Sequence, residues 1–264
     1  MSLARVACII PARDVADRIQ ATVVAARALP GVDVVIVTDD GSSDPTGDYA
    51  AASGAVVVTH QRGRGRAAAI ESGVNALGVL EQRDKRPECG TVLVLDADLG
   101  ASAAQAQHLI GPVVTERADL TIAIPTRRAP GAPDPGAPDP GFDLVETTAA
   151  RGIAELAGWT PRAPLATNRC LTRRAYELAS PLAAGDGADV GMTIDLLRAG
   201  LRVREIEIDV RGGDATSGLA ARLDRALVLK DVTRALTSRG LVRHSLDELK
   251  QSGGVAGLID KLRG

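Results

Sequence analysis

Aromatic side chains are nearly missing from this 264-residue chain, which has one Trp, two Tyr and one Phe. A core without rings has to be assembled from Ala, Val, Leu and Ile, and aliphatic runs of that kind suit strands buried on both faces of a parallel sheet. Cysteine is scarce as well: Cys8, Cys89 and Cys170 lie far apart and form no CxxC pair. That spacing argues against a zinc cluster or a disulfide framework and fits a reduced, cytoplasmic protein. His60, His108 and His244 are equally dispersed and are assigned no metal role. No stretch approaches the roughly 18 apolar residues of a membrane span, and the N-terminus lacks a basic region followed by a long apolar run. The chain is therefore expected to be neither secreted nor membrane-spanning. Charge of either sign is not in excess, with 31 Lys and Arg against 33 Asp and Glu, so nucleic acid is not expected as a partner.

What is present is an alternation. Short apolar runs at residues 5–10, 32–37, 55–59, 91–95 and 120–124 are separated by helical patterns, which predicts βαβ units and an α/β fold with a mainly parallel sheet flanked by helices. Between the third and fourth runs, Ile70, Gly73, Val74, Leu77 and Leu80 recur at three- and four-residue steps and mark a covering helix. Residues 129–141 read APGAPDPGAPDPG, where proline removes donors and glycine loosens the chain, so a flexible Pro/Gly-rich loop is expected over 126–142. It serves either as a spacer or as a lid beside a site. Beyond it the pattern predicts a helix over 144–156, a strand near 165–171, a helix ended by Gly200, a strand over 203–210 and a longer helix from Leu219 to Leu236.

The chemistry-bearing residues collect where these strands end. A buried run stops at Asp39, Asp40 and Gly41, and open α/β sheets bind ligands beyond the carboxyl ends of their strands. The plain reading is a turn that caps the next helix, a role that Ser43 or Asp44 can fill alone. A second run stops at Asp96-Ala97-Asp98, where alternation places the two acids on one side. Neighbouring carboxylates repel unless neutralised, and hard oxygens suit magnesium or manganese bridging to phosphates. A polar turn is the alternative. The third feature is a basic, glycine-bearing loop, Arg62-Gly63-Arg64-Gly65-Arg66, which runs into a helix and suits an anion such as a diphosphate, unless it is simply solvated. No GxGxxG follows the first strand, which disfavours a Rossmann dinucleotide site. Trp159 reads as a core or subdomain plug more than as a platform for a sugar.

Together these segments resemble the family 2 glycosyltransferases. Ile10-Pro11-Ala12-Arg13-Asp14 is similar to that family's IPAYNE, Thr38-Asp39-Asp40-Gly41-Ser42 to VDDGS, Arg62-Gly63-Arg64-Gly65 to its GKG stretch and Asp96-Ala97-Asp98-Leu99 to DADL. More loosely, Ala166-Thr167-Asn168-Arg169-Cys170-Leu171, the segment from Gly187 to Asp195 and Arg198-Ala199-Gly200-Leu201-Arg202-Val203 resemble later family segments. The resemblance implies a GT-A fold over residues 1–240, with a nucleotide-sugar-binding half at 1–125, an acceptor-side half at 143–240 and a helical tail at 241–264. It implies transfer of a sugar from a nucleoside diphosphate sugar, with inversion, to a small molecule, glycan or polyprenyl phosphate, and leaves room for a homodimer. By the same resemblance Pro11, Ala12, Arg13, Asp14, Asp39, Asp40, Gly41, Arg62, Gly63, Arg64, Asp96, Ala97 and Asp98 hold the donor. Asp98 and Asp96 hold Mg2+ or Mn2+, and Asp189 is the candidate base for an acceptor hydroxyl, with a helix N-cap as its structural alternative. Two departures stand out: Arg13 replaces an aromatic residue, and Arg211-Gly212-Gly213-Asp214 replaces a segment in which related sequences carry a metal-ligating histidine. Asp214 is the candidate substitute ligand. Rival classes are a nucleotidyltransferase, which would place a Gly-rich basic loop directly after the first strand, and a nucleotide-sugar-binding protein without turnover.

Overall fold

A computed structural model of the chain describes residues 5–126, 140–210 and 219–241. The first half alternates strand and helix: β1 (Val6–Ala12), α1 (Ala16–Arg27), β2 (Val32–Asp39), α2 (Thr46–Ala52), β3 (Val56–Thr59), α3 (Arg66–Arg83), β4 (Thr91–Val94), α4 (Gln107–Val114) and β5 (Leu120–Pro125). A 3-10 turn over Gly100–Ala106 precedes α4. There follow α5 (Pro140–Ala157), β6 (Arg169–Thr172), α6 (Arg173–Ala179), α7 (Ala188–Arg198), β7 (Val203–Ile208) and α8 (Leu219–Ser238).

The seven strands form one sheet in the order β3-β2-β1-β4-β6-β5-β7. β1 pairs in parallel with β2 and β4, and β2 with β3. β6 runs antiparallel between β4 and β5, with Leu93 opposite Cys170 and Leu120 opposite Leu171. Its insertion separates two parallel blocks, since β5 pairs in parallel with β7.

Alternation along β1 supplies both faces. Val6, Cys8, Ile10 and Ala12 enter the core layer that contains Ile19 and Val23 of α1 and Leu109 of α4. Ala7 and Ile9 enter the layer that contains Ile70, Val74 and Leu77 of α3 and Met192 of α7. A third cluster joins Ile153 of α5, Ile194 of α7 and Leu236 of α8. Trp159 packs against the second and third clusters, as expected of a plug between them. All three cysteines are free and buried.

Helix α5 starts at Pro140, inside the expected loop: proline at a first helical position gives up a donor that has no partner there anyway. Residues 127–139 of that loop, Asp214 with its neighbours 211–218, and the tail from 242 onward lie outside the described residues. No helix among the described residues is long and apolar enough to cross a membrane.

Candidate functional site at the carboxyl edge of the sheet

The site is assembled from the segments that leave β1, β2, β3 and β4 at their carboxyl ends. After β1, Asp14 adopts a positive φ of 50°. Its backbone N–H donates to Ser42 Oγ at 3.0 Å, and its Oδ1 accepts from Ser43 N at 2.7 Å and Ser43 Oγ at 2.9 Å. The hydrogen bonds from Ser43 hold the Asp14 carboxyl below the usual carboxylate range. The β1 and β2 exits are thereby stitched together.

The two acids after β2 have different surroundings. Asp39 Oδ1 accepts from Ser42 N at 2.9 Å, a local turn. Asp40 is 6% exposed and its carboxylate reaches the other loop. Oδ1 accepts from Arg64 N at 2.8 Å and lies 2.6 Å from His60 Nδ1, while Oδ2 accepts from Gly65 N at 2.8 Å. His60 Nε2 in turn lies 2.9 Å from Ser72 Oγ. Asp40 thus binds the two amides that lead into α3, whose N-cap residue Gly65 has no capping side chain of its own. Asp44 accepts from Thr46 N at 3.0 Å, so the start of α2 needs neither Asp39 nor Asp40.

Gly41 has a φ of 74°, and a Cβ there would stand 2.9 Å from the Arg62 carbonyl carbon and Gly63 N. Only glycine lets these two loops pack backbone to backbone. A Cβ on Gly63 would meet the Arg13 guanidinium, which lies across this loop. Arg13, Arg62, Gly63 and Arg64 are exposed. Pro11 and Ala12, the last residues of β1, pair with Thr38 and Asp39 of β2.

After β4, Asp96 is held on both carboxylate oxygens. Oδ1 accepts from Arg66 Nη1 at 3.0 Å, and Oδ2 accepts from Asn168 Nδ2 at 2.8 Å and from Thr167 Oγ1. The Ala97 carbonyl accepts from Thr22 Oγ1 at 2.7 Å. Asp98 is half-buried beside it.

Asp189, at the start of α7, is 2% exposed. Its Oδ2 accepts from Arg66 Nε at 3.0 Å. Arg169 Nε lies 3.0 Å from Oδ1, but that nitrogen donates to the Ala166 carbonyl at 2.8 Å. The Arg169 contact is therefore Coulombic, and it leaves Asp189 Oδ1 and Arg169 Nη2 without hydrogen-bond partners. Burial draws the Arg169 pKa down, and Arg66 adds to that against Asp189. For Arg66, burial works the same way, but Asp189 and Asp96 outweigh it and raise its pKa.

The structure thus brings the sequence-predicted donor residues to one edge, with Asp189 joined to them through Arg66. Arg66, Thr167, Asn168 and Arg169 have roles here that motif reading missed. The available signal was the polar pair Asn168-Arg169 at the start of an otherwise apolar strand. Two surface grooves, of about 400 Å3 between α3 and α6 and about 500 Å3 along α7 and α8, include none of the strand-end acids. The site is therefore placed by its side chains rather than by either of these grooves.

Residues 7–137 match the model of glycosyl transferase family 2. Among solved structures, glucosyl-3-phosphoglycerate synthase from Mycobacterium tuberculosis, in complex with Mn2+, uridine diphosphate and phosphoglyceric acid, is similar with a TM-score of 0.67 at 22% identity, over 90% of this chain and 80% of that one. A further structure of that synthase gives 0.68 at 24% identity over 90% and 82%. A mycobacterial protein gives 0.68 at 25% identity over 89% and 74%. No curated protein sequence matches the chain. The chain belongs to the GT-A-fold glycosyltransferase superfamily, and its first half is a family 2 glycosyltransferase region.

Proposed function

We propose that the chain moves a sugar from a nucleoside diphosphate sugar, held across the carboxyl edge of β1, β2 and β4, to an acceptor approaching from the second half. The observation that supports this most is the backbone contact of the Gly41 turn with the Arg62–Gly63 loop, beneath the Arg13 guanidinium. It joins acids and exposed cations in one cradle, a combination suited to a base with its diphosphate.

With the Asp40 oxygens occupied by protein donors, recognition of the base falls to Asp39, and Asp14 stands at the ribose side. Arg13 offers a planar cation to stack on the base. Arg62 and Arg64 supply positive charge to the diphosphate. No group of three His, Cys, Asp or Glu able to hold a metal occurs among the described residues. The oxygen chemistry of Asp98 and Asp96 fits Mg2+ or Mn2+ only if phosphate oxygens complete the shell, with Asp214 as a further candidate outside the described residues. When bound, the cation offsets the charge that develops on the departing diphosphate.

Burial and two guanidinium neighbours favour a positioning role for Asp189 over proton acceptance from a hydroxyl. An anionic acceptor, such as a phosphate, needs no base. The structural relatives make uridine diphosphate the first nucleotide and phosphoglyceric acid the first acceptor to try.

Isothermal titration of uridine diphosphate tests the donor assignment. Affinity is expected to rise at least about tenfold from chelator to excess Mn2+, with the gain lost in Asp98→Ala, because phosphate and protein share one shell. Equal affinity in both conditions would sink the metal assignment, and no nucleotide binding at all would sink the donor site.

A further inference from the structure

His60, the residue after β3, is only 8% exposed, and both of its ring nitrogens meet polar atoms. Nδ1 lies 2.6 Å from Asp40 Oδ1, and Nε2 lies 2.9 Å from Ser72 Oγ of α3. The same Asp40 carboxylate accepts from the backbone amides of Arg64 and Gly65, each at 2.8 Å. His60, Arg64 and Gly65, all within residues 60–65, therefore converge on one buried acid. We propose that His60 is a positioning residue for the donor's diphosphate: its ring fixes the Asp40 carboxylate, and Asp40 in turn holds the loop that exposes Arg62 and Arg64. This rests on the donor reading given above.

Asp40 meets the loop amides as an acceptor on both oxygens, and it meets the ring in the same way, so the hydrogen in that contact sits on Nδ1. In the neutral ring Nε2 is then an acceptor, to which the Ser72 hydroxyl donates. Ser72 stands in the second turn of α3, and α3 begins at Arg66, directly after the loop. His60 thus ties the start of the loop to the helix that ends it. Between these anchors Gly63 and Gly65 restrain the backbone little. Without the ring, the Asp40 carboxylate is free to turn away from the amides. The donor must then order the loop as it binds, and affinity falls.

Two amide side chains separate the ring nitrogens: the Asn amide nitrogen stands near the place of Nδ1, and that of Gln near the place of Nε2. In calorimetric titrations with Mn2+ present, His60→Asn should keep uridine diphosphate affinity within about threefold of native, whereas His60→Gln and His60→Ala should each lose about tenfold or more. Hydrogen exchange at the Arg64 and Gly65 amides should speed up in the same two variants and not in His60→Asn. A merely structural ring would be missed equally in Asn and Gln. Equal losses in those two variants, an undiminished affinity in His60→Ala, or a loss without faster exchange would overturn the proposal. Nitrogen NMR of the native protein supplies a reading that needs no variant: hydrogen is expected on His60 Nδ1, and hydrogen on Nε2 alone would overturn the assignment. If His60→Gln does not fold, His60→Asn and the NMR spectrum decide. A native protein that binds no uridine diphosphate would overturn this inference together with the donor reading, whereas failure of the variants alone overturns only the role of His60.

Discussion

Replacing Asp40 by Ala should damage stability more than replacing Asp39, although the two acids are neighbours at the end of one strand. Asp40→Ala leaves the Arg64 and Gly65 amides at the entry to α3 without their acceptor, which costs about 1–2 kcal/mol, and the His60 ring nitrogen without its carboxylate, which costs about 1–3 kcal/mol. The lost groups are the Arg64 and Gly65 amides at 2.8 Å and His60 Nδ1 at 2.6 Å. These contacts are coupled, so about 3 kcal/mol is expected in all. At about 2–4 °C per kcal/mol for a chain of this size, the melting temperature should fall by about 9 °C. Asp39→Ala loses only the local Ser42 bond, which amounts to about 1 kcal/mol and about 3 °C. Thermal unfolding by circular dichroism gives the shifts, and calorimetry on the folded variants gives nucleotide affinity, which should drop at least about tenfold in Asp39→Ala if a charged hydrogen bond to the base is lost. An Asp40→Ala protein melting within about 2 °C of native, or a larger shift in Asp39→Ala, would refute the argument from these buried contacts.

Gly41→Ala should lower both stability and nucleotide affinity, because the new methyl would enter the Arg62–Gly63 backbone at 2.9 Å from a residue with φ of 74°. A variant with native melting and native uridine diphosphate affinity would show that the two loops do not need that contact. A pH effect is expected at Asp119. The side-chain hydrogen bond from Arg202, aided by the Arg202 backbone N–H and opposed by partial burial, lowers its pKa in the folded protein. A carboxylate depressed on folding adds stability above its unfolded pKa of about 4 and loses it as pH falls through the folded value. In urea titrations, the stability gap between native and Asp119→Asn should therefore be present at pH 6 and shrink below about pH 4. A gap that widens on acidification would reverse the sign and refute the assignment.

How much of this could be read from the chain alone depends on the range over which each signal acts. Strand and helix identity follow from local periodicity, so the five apolar runs of the first half became β1 to β5, and the pattern at Ile70, Val74 and Leu77 became the buried face of α3. The acids and glycines at 39–41 and 96–98 were legible because a strand end in an open sheet is itself a short-range signal. What each acid binds was not. Asp40 and Asp39 look alike in sequence, but one binds loop amides 24 and 25 residues further on, at the entry to α3, and the other closes its own turn.

The basic loop shows the same division. As a stretch of residues, Arg62, Arg64 and Arg66 differ little, and all suit a solvated or anion-binding loop. Tertiary structure divides them: Arg62 and Arg64 stay exposed, while Arg66 meets Asp96 across 30 residues and Asp189 across 123. That meeting depends on β6 entering antiparallel beside β4, which brings Thr167 and Asn168 to the strand-end acid. Sequence by itself determined the fold class, the strand ends and the chemical inventory of the site, because propensity, alternation and turn residues act over a few positions. Only tertiary structure decided which charges neutralise one another and which remain for a ligand, because burial and ion pairing depend on strand order, which no short stretch of chain contains.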